Sequence, residues 1–140
     1  MDPAVVDASV AIKWVYSEEL SANAIRVRGR YRLIAPELLL AECANILWKK
    51  VRRRELADNE AIVSAAAIGR AGIEMVPMAA LMAGATRLAL DLDHPAYDCF
   101  YIELCRLRGI PLITADGRLI RKHRQSGRPD LPEMIALQMV

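Results

Sequence analysis

Four short apolar runs, AVVD (4–7), LIAP (33–36), IEMVP (73–77) and PLIT (111–114), are each followed by a longer segment whose apolar residues recur at helical spacing. A strand rejoined only after a helix cannot pair with its predecessor through a tight hairpin. The alternation therefore predicts an α/β fold, a parallel sheet with helices packed on its faces. Helices are expected over about 9–16, 18–30, 37–53, 58–70, 78–91, 95–108 and 117–125. Pro95 suits a first helical turn and Gly109 a C-terminal stop. QSGRPDLPE (125–133) is a Ser/Gly/Pro-rich loop before an apolar tail, MIALQMV, which reads as a final strand or docking segment. At 140 residues, the chain reads as one domain, 1–140, able to bury about two thirds of its unfolded surface.

Four acids interrupt this pattern. Asp7 ends the first apolar run and Asp116 follows the fourth, so both should stand at strand carboxyl ends, where open α/β sheets place their ligands. Glu42 shares a helical stripe with Leu38, Leu39 and Ile46, and Asp98 shares one with Tyr101, Ile102 and Cys105. Each has an ordinary explanation: Asp7 and Asp116 as helix N-caps, Asp98 as a favourable charge near a helix N-terminus, Glu42 as a partner for an arginine. Converging, they demand a cation, because two charges about 4 Å apart repel by roughly 4 kcal/mol at an effective dielectric near 20. No basic residue interleaves with them at the strand ends. An all-oxygen donor set is what hard divalent ions select, above all Mg²⁺ or Mn²⁺, and such ions favour phosphate-ester hydrolysis.

The remaining composition narrows the alternatives. Net charge is only +2, yet basic residues cluster in RVRGRYR (26–32), KKVRRR (49–54) and RLIRKHRQSGR (118–128), which reads either as solvated helix ends or as a polyanion-binding surface. Aromatics are 5% of the chain, so recognition built mainly on base stacking is not expected; Trp14 and Trp48, beside lysines, read as base-stacking groups or, the favoured expectation, as core or dimer packing, and Tyr97 as a substrate contact or, again favoured, as packing beneath its helix. His94 and His123 do not form a histidine-pair ribonuclease site, and His123 reads as part of a solvated helix face. Cys43, Cys99 and Cys105 lack metal-site spacing and read as small buried hydrophobes in a reducing compartment. With no apolar stretch of about 18 residues and an acidic N-terminus, a cytoplasmic protein with no membrane association is the expectation. No Gly-rich fingerprint marks a nucleotide site. A phosphatase with an aspartyl nucleophile would want a second Asp where this chain has Ser9.

These residues resemble the PIN-domain nucleases, and more narrowly the VapC-type toxins of toxin-antitoxin systems. The likeness runs from VVDASV to the tail: an apolar strand ending in Asp7 with Ser9 two positions on, Glu42 and Asn45 in AECANIL, and AYDCFYIELCRLRGIPLITAD, in which a Tyr-Asp pair opens a helix and a strand delivers Thr114 and Asp116. One departure is GRLIRK after the last aspartate, where many relatives carry a further acidic or polar residue. The resemblance implies a three-layer α/β/α sandwich around a central parallel sheet, homodimers and metal-dependent endoribonuclease activity on RNA. It implies that Asp7, Glu42, Asp98 and Asp116 hold Mg²⁺ or Mn²⁺ and carry catalysis, with Ser9, Asn45 and Thr114 orienting them. It also implies a VapB-type antitoxin whose extended tail blocks the acids, with DNA bound only through that partner. The alternative of another class is a catalytically idle PIN-like module that binds RNA or a protein.

Overall fold

The computed structural model describes all residues 1–140. Its chain order is β1 (Asp2–Val6), α1 (Ala8–Ala11), α2 (Ser21–Arg30), β2 (Tyr31–Pro36), α3 (Leu38–Arg52), α4 (Asp58–Gly69), β3 (Glu74–Val76), α5 (Met82–Leu92), α6 (Ala96–Arg108), β4 (Leu112–Thr114), α7 (Gly117–Ser126) and β5 (Met134–Ala136). Three short 3-10 turns, Ile12–Trp14, Ala79–Leu81 and Leu137–Met139, extend α1, lead into α5 and finish the chain. The expected first helix is therefore a short α-helix that tightens into 3-10 geometry.

All strand pairs are parallel, in the order β3-β2-β1-β4-β5. The central strand β1 buries Ala4, Val5 and Val6 completely, as an apolar run covered on both faces must. The chain builds outward from β1 through β2 to β3, then returns to add β4 and β5 on the other side. The order thus reverses between β1 and β4, and the crevice at their carboxyl ends is the topological switch point. The apolar tail is the edge strand β5, paired with β4 through Met134, Ile135 and Ala136.

Helix α6 packs on β1, β2 and β4 and lies against α5. It begins after Pro95, which occupies the N-cap rather than the first turn, and ends at Gly109 with φ 65°, a left-handed value that glycine adopts without strain. Within α6 the carboxylate of Glu103 is almost wholly buried and is held by Arg106, Nε to Oε1 at 2.7 Å and Nη2 to Oε2 at 3.2 Å. Gly84 on α5 makes this possible, since any Cβ there would occupy the position of the Glu103 carboxylate.

Gly84→Ala tests that packing. Alanine in a helix interior gains about 1 kcal/mol over glycine, whereas forcing an atom into a packed site costs about 1–3 kcal/mol, and here it also dislodges a buried carboxylate from its arginine. A lower urea midpoint is expected. An unchanged or raised midpoint would show that Glu103 moves aside freely.

Candidate active site at the sheet switch point

A cavity of about 300 Å³ opens at the ends of β1 and β4, lined by Asp7, Ser9, Glu42, Asn45, Lys49, Asp98, Tyr101 and Asp116 among others. All four acids singled out from the sequence therefore meet in one place, with Ser9 and Asn45 beside them. Thr114 is not in the wall; it is fully buried behind Asp7.

Asp7 occupies the N-cap position of α1 without capping it through its side chain. The α1 amides of Val10 and Ala11 bond to its backbone carbonyl at 3.2 Å, so the carboxylate is available elsewhere. The Ser9 hydroxyl donates to Asp7 Oδ1 at 2.5 Å and the Thr114 hydroxyl to Oδ2 at 2.5 Å. Each hydroxyl in turn accepts a backbone N–H, Ser9 from Ala115 at 2.9 Å and Thr114 from Asp116 at 3.0 Å. The end of β1 is thus clasped to the end of β4 through one carboxylate. Despite two donors, burial raises the Asp7 pKa from 3.8 to about 6, with the Asp98 and Asp116 charges adding to the rise.

Each of the other three acids has its own partner. Tyr101 donates its hydroxyl to Glu42 Oε1 at 2.5 Å. Burial raises the Glu42 pKa against that bond, and burial with the Glu42 charge pushes the Tyr101 phenol up, so it stays a donor. His94 Nε2 lies 2.6 Å from Asp98 Oδ2. Asp116 caps α7, Oδ1 accepting from the amides of Arg118 at 3.0 Å and Leu119 at 3.2 Å; the cap reading holds for Asp116 and fails for the Asp7 side chain.

No three of these groups close to metal-ligating distance as they stand. The donor set nonetheless fits a hard divalent ion: four carboxylates and no soft ligand, the nearby Cys43 thiol being pushed up to about 12 by burial. Cys43, Cys99 and Cys105 are free and buried, as expected.

Several residues correct the expectations. Lys49, two turns beyond Glu42 on α3, lines the acidic cavity without pairing with any of the acids, so a cation borders the site from a helix while none stands at the strand ends; the i, i+7 spacing is the signal for it. Tyr101, at i, i+3 from Asp98, was visible as a stripe residue but not as a donor to Glu42. Tyr97 is exposed rather than packed beneath α6, and Trp48 is 53% exposed, which takes it out of the core and leaves the dimer contact open. Trp14 does pack, its indole N–H donating to the Ala24 carbonyl at 2.9 Å. His123 is not a solvated face residue: its Nε2 meets the Pro132 carbonyl at 2.7 Å and ties α7 to the tail.

A doubly wound sheet with four carboxylates at its switch point defines a class of acid-centred α/β proteins. The PIN domain family model matches residues 4–125. Among curated relatives, Ribonuclease VapC3 of Pyrobaculum aerophilum is 32% identical over 121 residues, covering 84% of this chain and 92% of the relative. Ribonuclease VapC12 of Mycobacterium tuberculosis is 28% identical over 128 residues, covering 91% and 97%. Among solved structures, PAE2754 of Pyrobaculum aerophilum superposes with a TM-score of 0.71 at 20% identity, over 99% of this chain and 85% of that one. VapBC2 of Rickettsia felis, solved on a promoter DNA fragment, gives 0.65 at 12% identity over 95% and 97%. The chain belongs to the PIN-domain family, among its VapC members.

The raised Asp7 pKa fixes a sign. Between pH 4 and about 6 the folded state holds a proton that the unfolded chain has released, so stability falls as pH rises through this window and levels off above it. The rise is worth about 3 kcal/mol at neutral pH. Asp7→Asn removes that charge while keeping a polar group between the two hydroxyls. Metal-free urea titrations at pH 4 and pH 7 should show a variant that gains on wild type as pH rises. A variant less stable at both values would make the carboxylate a structural necessity.

Proposed function

We propose that this chain is a metal-dependent endoribonuclease, the toxin of a VapBC-type toxin-antitoxin pair, hydrolysing RNA phosphodiester bonds. The observation that carries this reading is the gathering of four carboxylates at the sheet switch point, with Lys49 as the one lysine in the cavity wall. Asp7, Glu42, Asp98 and Asp116 would hold Mg²⁺ or Mn²⁺. When bound, the ion lowers the pKa of an attacking water and neutralises phosphate charge. Ser9 and Thr114 fix both oxygens of Asp7; Tyr101 and His94 fix one oxygen each of Glu42 and Asp98. Such supporting bonds tune and orient metal-binding carboxylates. Asp116 keeps Oδ2 free of the cap bonds. Lys49 would bind the phosphate through its ammonium, and Asn45 gives the wall a neutral polar group one turn past Glu42.

The curated relatives are named ribonucleases, which supports RNA as substrate. One structural neighbour is a VapBC assembly on DNA, which supports a VapB-type antitoxin as partner, with DNA reached through it. An apolar groove between α3 and α4, lined by Leu47, Trp48, Val51 and Ile62 among others, is the surface this reading gives to the antitoxin. Homodimerisation belongs to the same reading, and exposed Met82 and Leu90 on α5 provide apolar surface for it. No helix is long and apolar enough to cross a membrane, which fits a cytoplasmic site of action.

Cleavage of end-labelled RNA checks the proposal. Wild type should cut with Mg²⁺ or Mn²⁺ and stop in EDTA, and Asp7→Asn and Asp98→Asn should each lose roughly a hundred-fold or more. Growth arrest on expression without a partner should vanish with Asp98→Asn. Cleavage that survives EDTA, or equal activity in the variants, would remove the acids from the chemistry; RNA binding without any cleavage would favour the idle module.

A further inference from the structure

On α3, Glu42, Asn45, Lys49 and Arg52 follow one another at intervals of three, four and three residues and so share one helix face. This face leads out of the acidic cavity. At about 1.5 Å per residue, Arg52 lies about 15 Å along the axis from Glu42, far enough to accompany an extended strand beyond the reacting phosphate. Beside the cavity lies a second concavity, about 340 Å³, lined only by Trp48, Lys49, Arg52 and Arg53. Lys49 belongs to both walls.

The side chains there are unusually available. Trp48 is 53% exposed, although indole is among the side chains that gain most from burial. The Arg52 guanidinium lies over its ring, 4.9 Å from the centroid, within cation-π range. Lys49, Arg52 and Arg53 have no carboxylate within salt-bridge distance, whereas adjacent Lys50 is held by Glu18 and Glu55, at 3.5 Å each. Cations at a helix C-terminus complement the helix dipole, and Trp48 also borders the α3–α4 groove given above to the antitoxin, so RNA and antitoxin would compete for this indole; the groove, lined mainly by apolar residues, does not account for the cations set around it. An aromatic platform flanked by unpaired cations matches the chemistry of a single-stranded nucleic acid, a base face and its phosphates.

Resting on the nuclease reading, we infer that the last turns of α3 form a subsite for the unpaired RNA strand flanking the scissile phosphate. A base stacks on Trp48; Lys49, Arg52 and Arg53 hold the adjoining phosphates. The subsite selects single-stranded segments, since a base within a duplex keeps its face against its neighbours.

Fluorescence anisotropy of an end-labelled, mixed-sequence single-stranded RNA, with the full chain in EDTA to prevent turnover, tests this. Trp48→Ala should weaken binding roughly ten-fold or more, and Trp48→Phe much less. Arg52→Gln with Arg53→Gln should reduce the slope of log affinity against log salt by about 1.4, about 0.7 for each phosphate no longer neutralised. The same RNA annealed to its complement should bind more weakly. Unchanged affinity in Trp48→Ala with an unchanged salt slope in the double variant overturns the subsite, as does equal binding of duplex or no binding at all. If Trp48→Ala spares RNA binding but abolishes antitoxin or self-association, the patch is a protein contact and the inference fails. Metal-driven cleavage assayed in parallel separates the two claims. Cleavage by wild type with KM unchanged in Trp48→Ala sinks only the subsite, while Trp48-dependent binding without cleavage sinks only the nuclease reading.

Discussion

The Asp7 carboxylate, held between the Ser9 and Thr114 hydroxyls, is the interaction on which the rest of the site depends. It stands where β1 and β4 meet, the one place where the sheet order reverses. Each hydroxyl passes a backbone amide of the β4 end to an oxygen of the β1 end, so position and charge are fixed together. Charge-assisted bonds of this kind contribute about 1.5–3 kcal/mol each, against a desolvation penalty of several kcal/mol for a buried ion. Burial wins: the pKa of Asp7 stands at about 6. The clasp secures geometry at the expense of a carboxylate that favours a proton or a cation.

The surrounding acids keep this cost tolerable by being occupied separately. Tyr101 holds Glu42, His94 meets Asp98, and the α7 amides hold Asp116. The chain thereby places four carboxylates on one cavity without bringing three to a common metal-ligating distance. These four carboxylates would hold a divalent ion, whose charge would offset their mutual repulsion. The same supporting bonds then become the means by which the protein sets their orientation. Lys49 borders the cavity with a cation, and the continuation of its face into the Arg52 and Arg53 concavity links the site to a surface suited to polyanions.

Much of this was legible in the sequence because two periodicities carried it. Runs buried on both faces read as strands, and helical stripes placed Glu42 and Asp98 facing inward; the acids stood out against apolar neighbours. The tail was recognisable as a strand or docking segment, though its pairing with β4 needed the fold. Hydrogen-bond partners were less visible. Tyr101 and Glu42 are 59 residues apart, and nothing local distinguishes a phenol that packs from one that also donates. His94 lies before α6, outside the helical pattern that marks Asp98. Lys49 was absorbed into the charge run KKVRRR, where side chains of one composition divide between the cavity, a pairing with Glu18 and Glu55, and open surface. Glu103 and Gly84 form a buried contact between two helices that neither segment announces alone.

The most direct test is a carbon-13 NMR titration of the Asp7 carboxyl carbon, identified by its loss in Asp7→Asn and followed with and without Mg²⁺. In metal-free protein it should titrate near pH 6, and saturating Mg²⁺ should drive its apparent pKa down, because the ion competes with the proton for the same oxygens. A carboxyl that titrates at the ordinary value of 3.8 and ignores Mg²⁺ would contradict the account: Asp7 would then be a solvated structural acid rather than the buried charge around which a metal site is built.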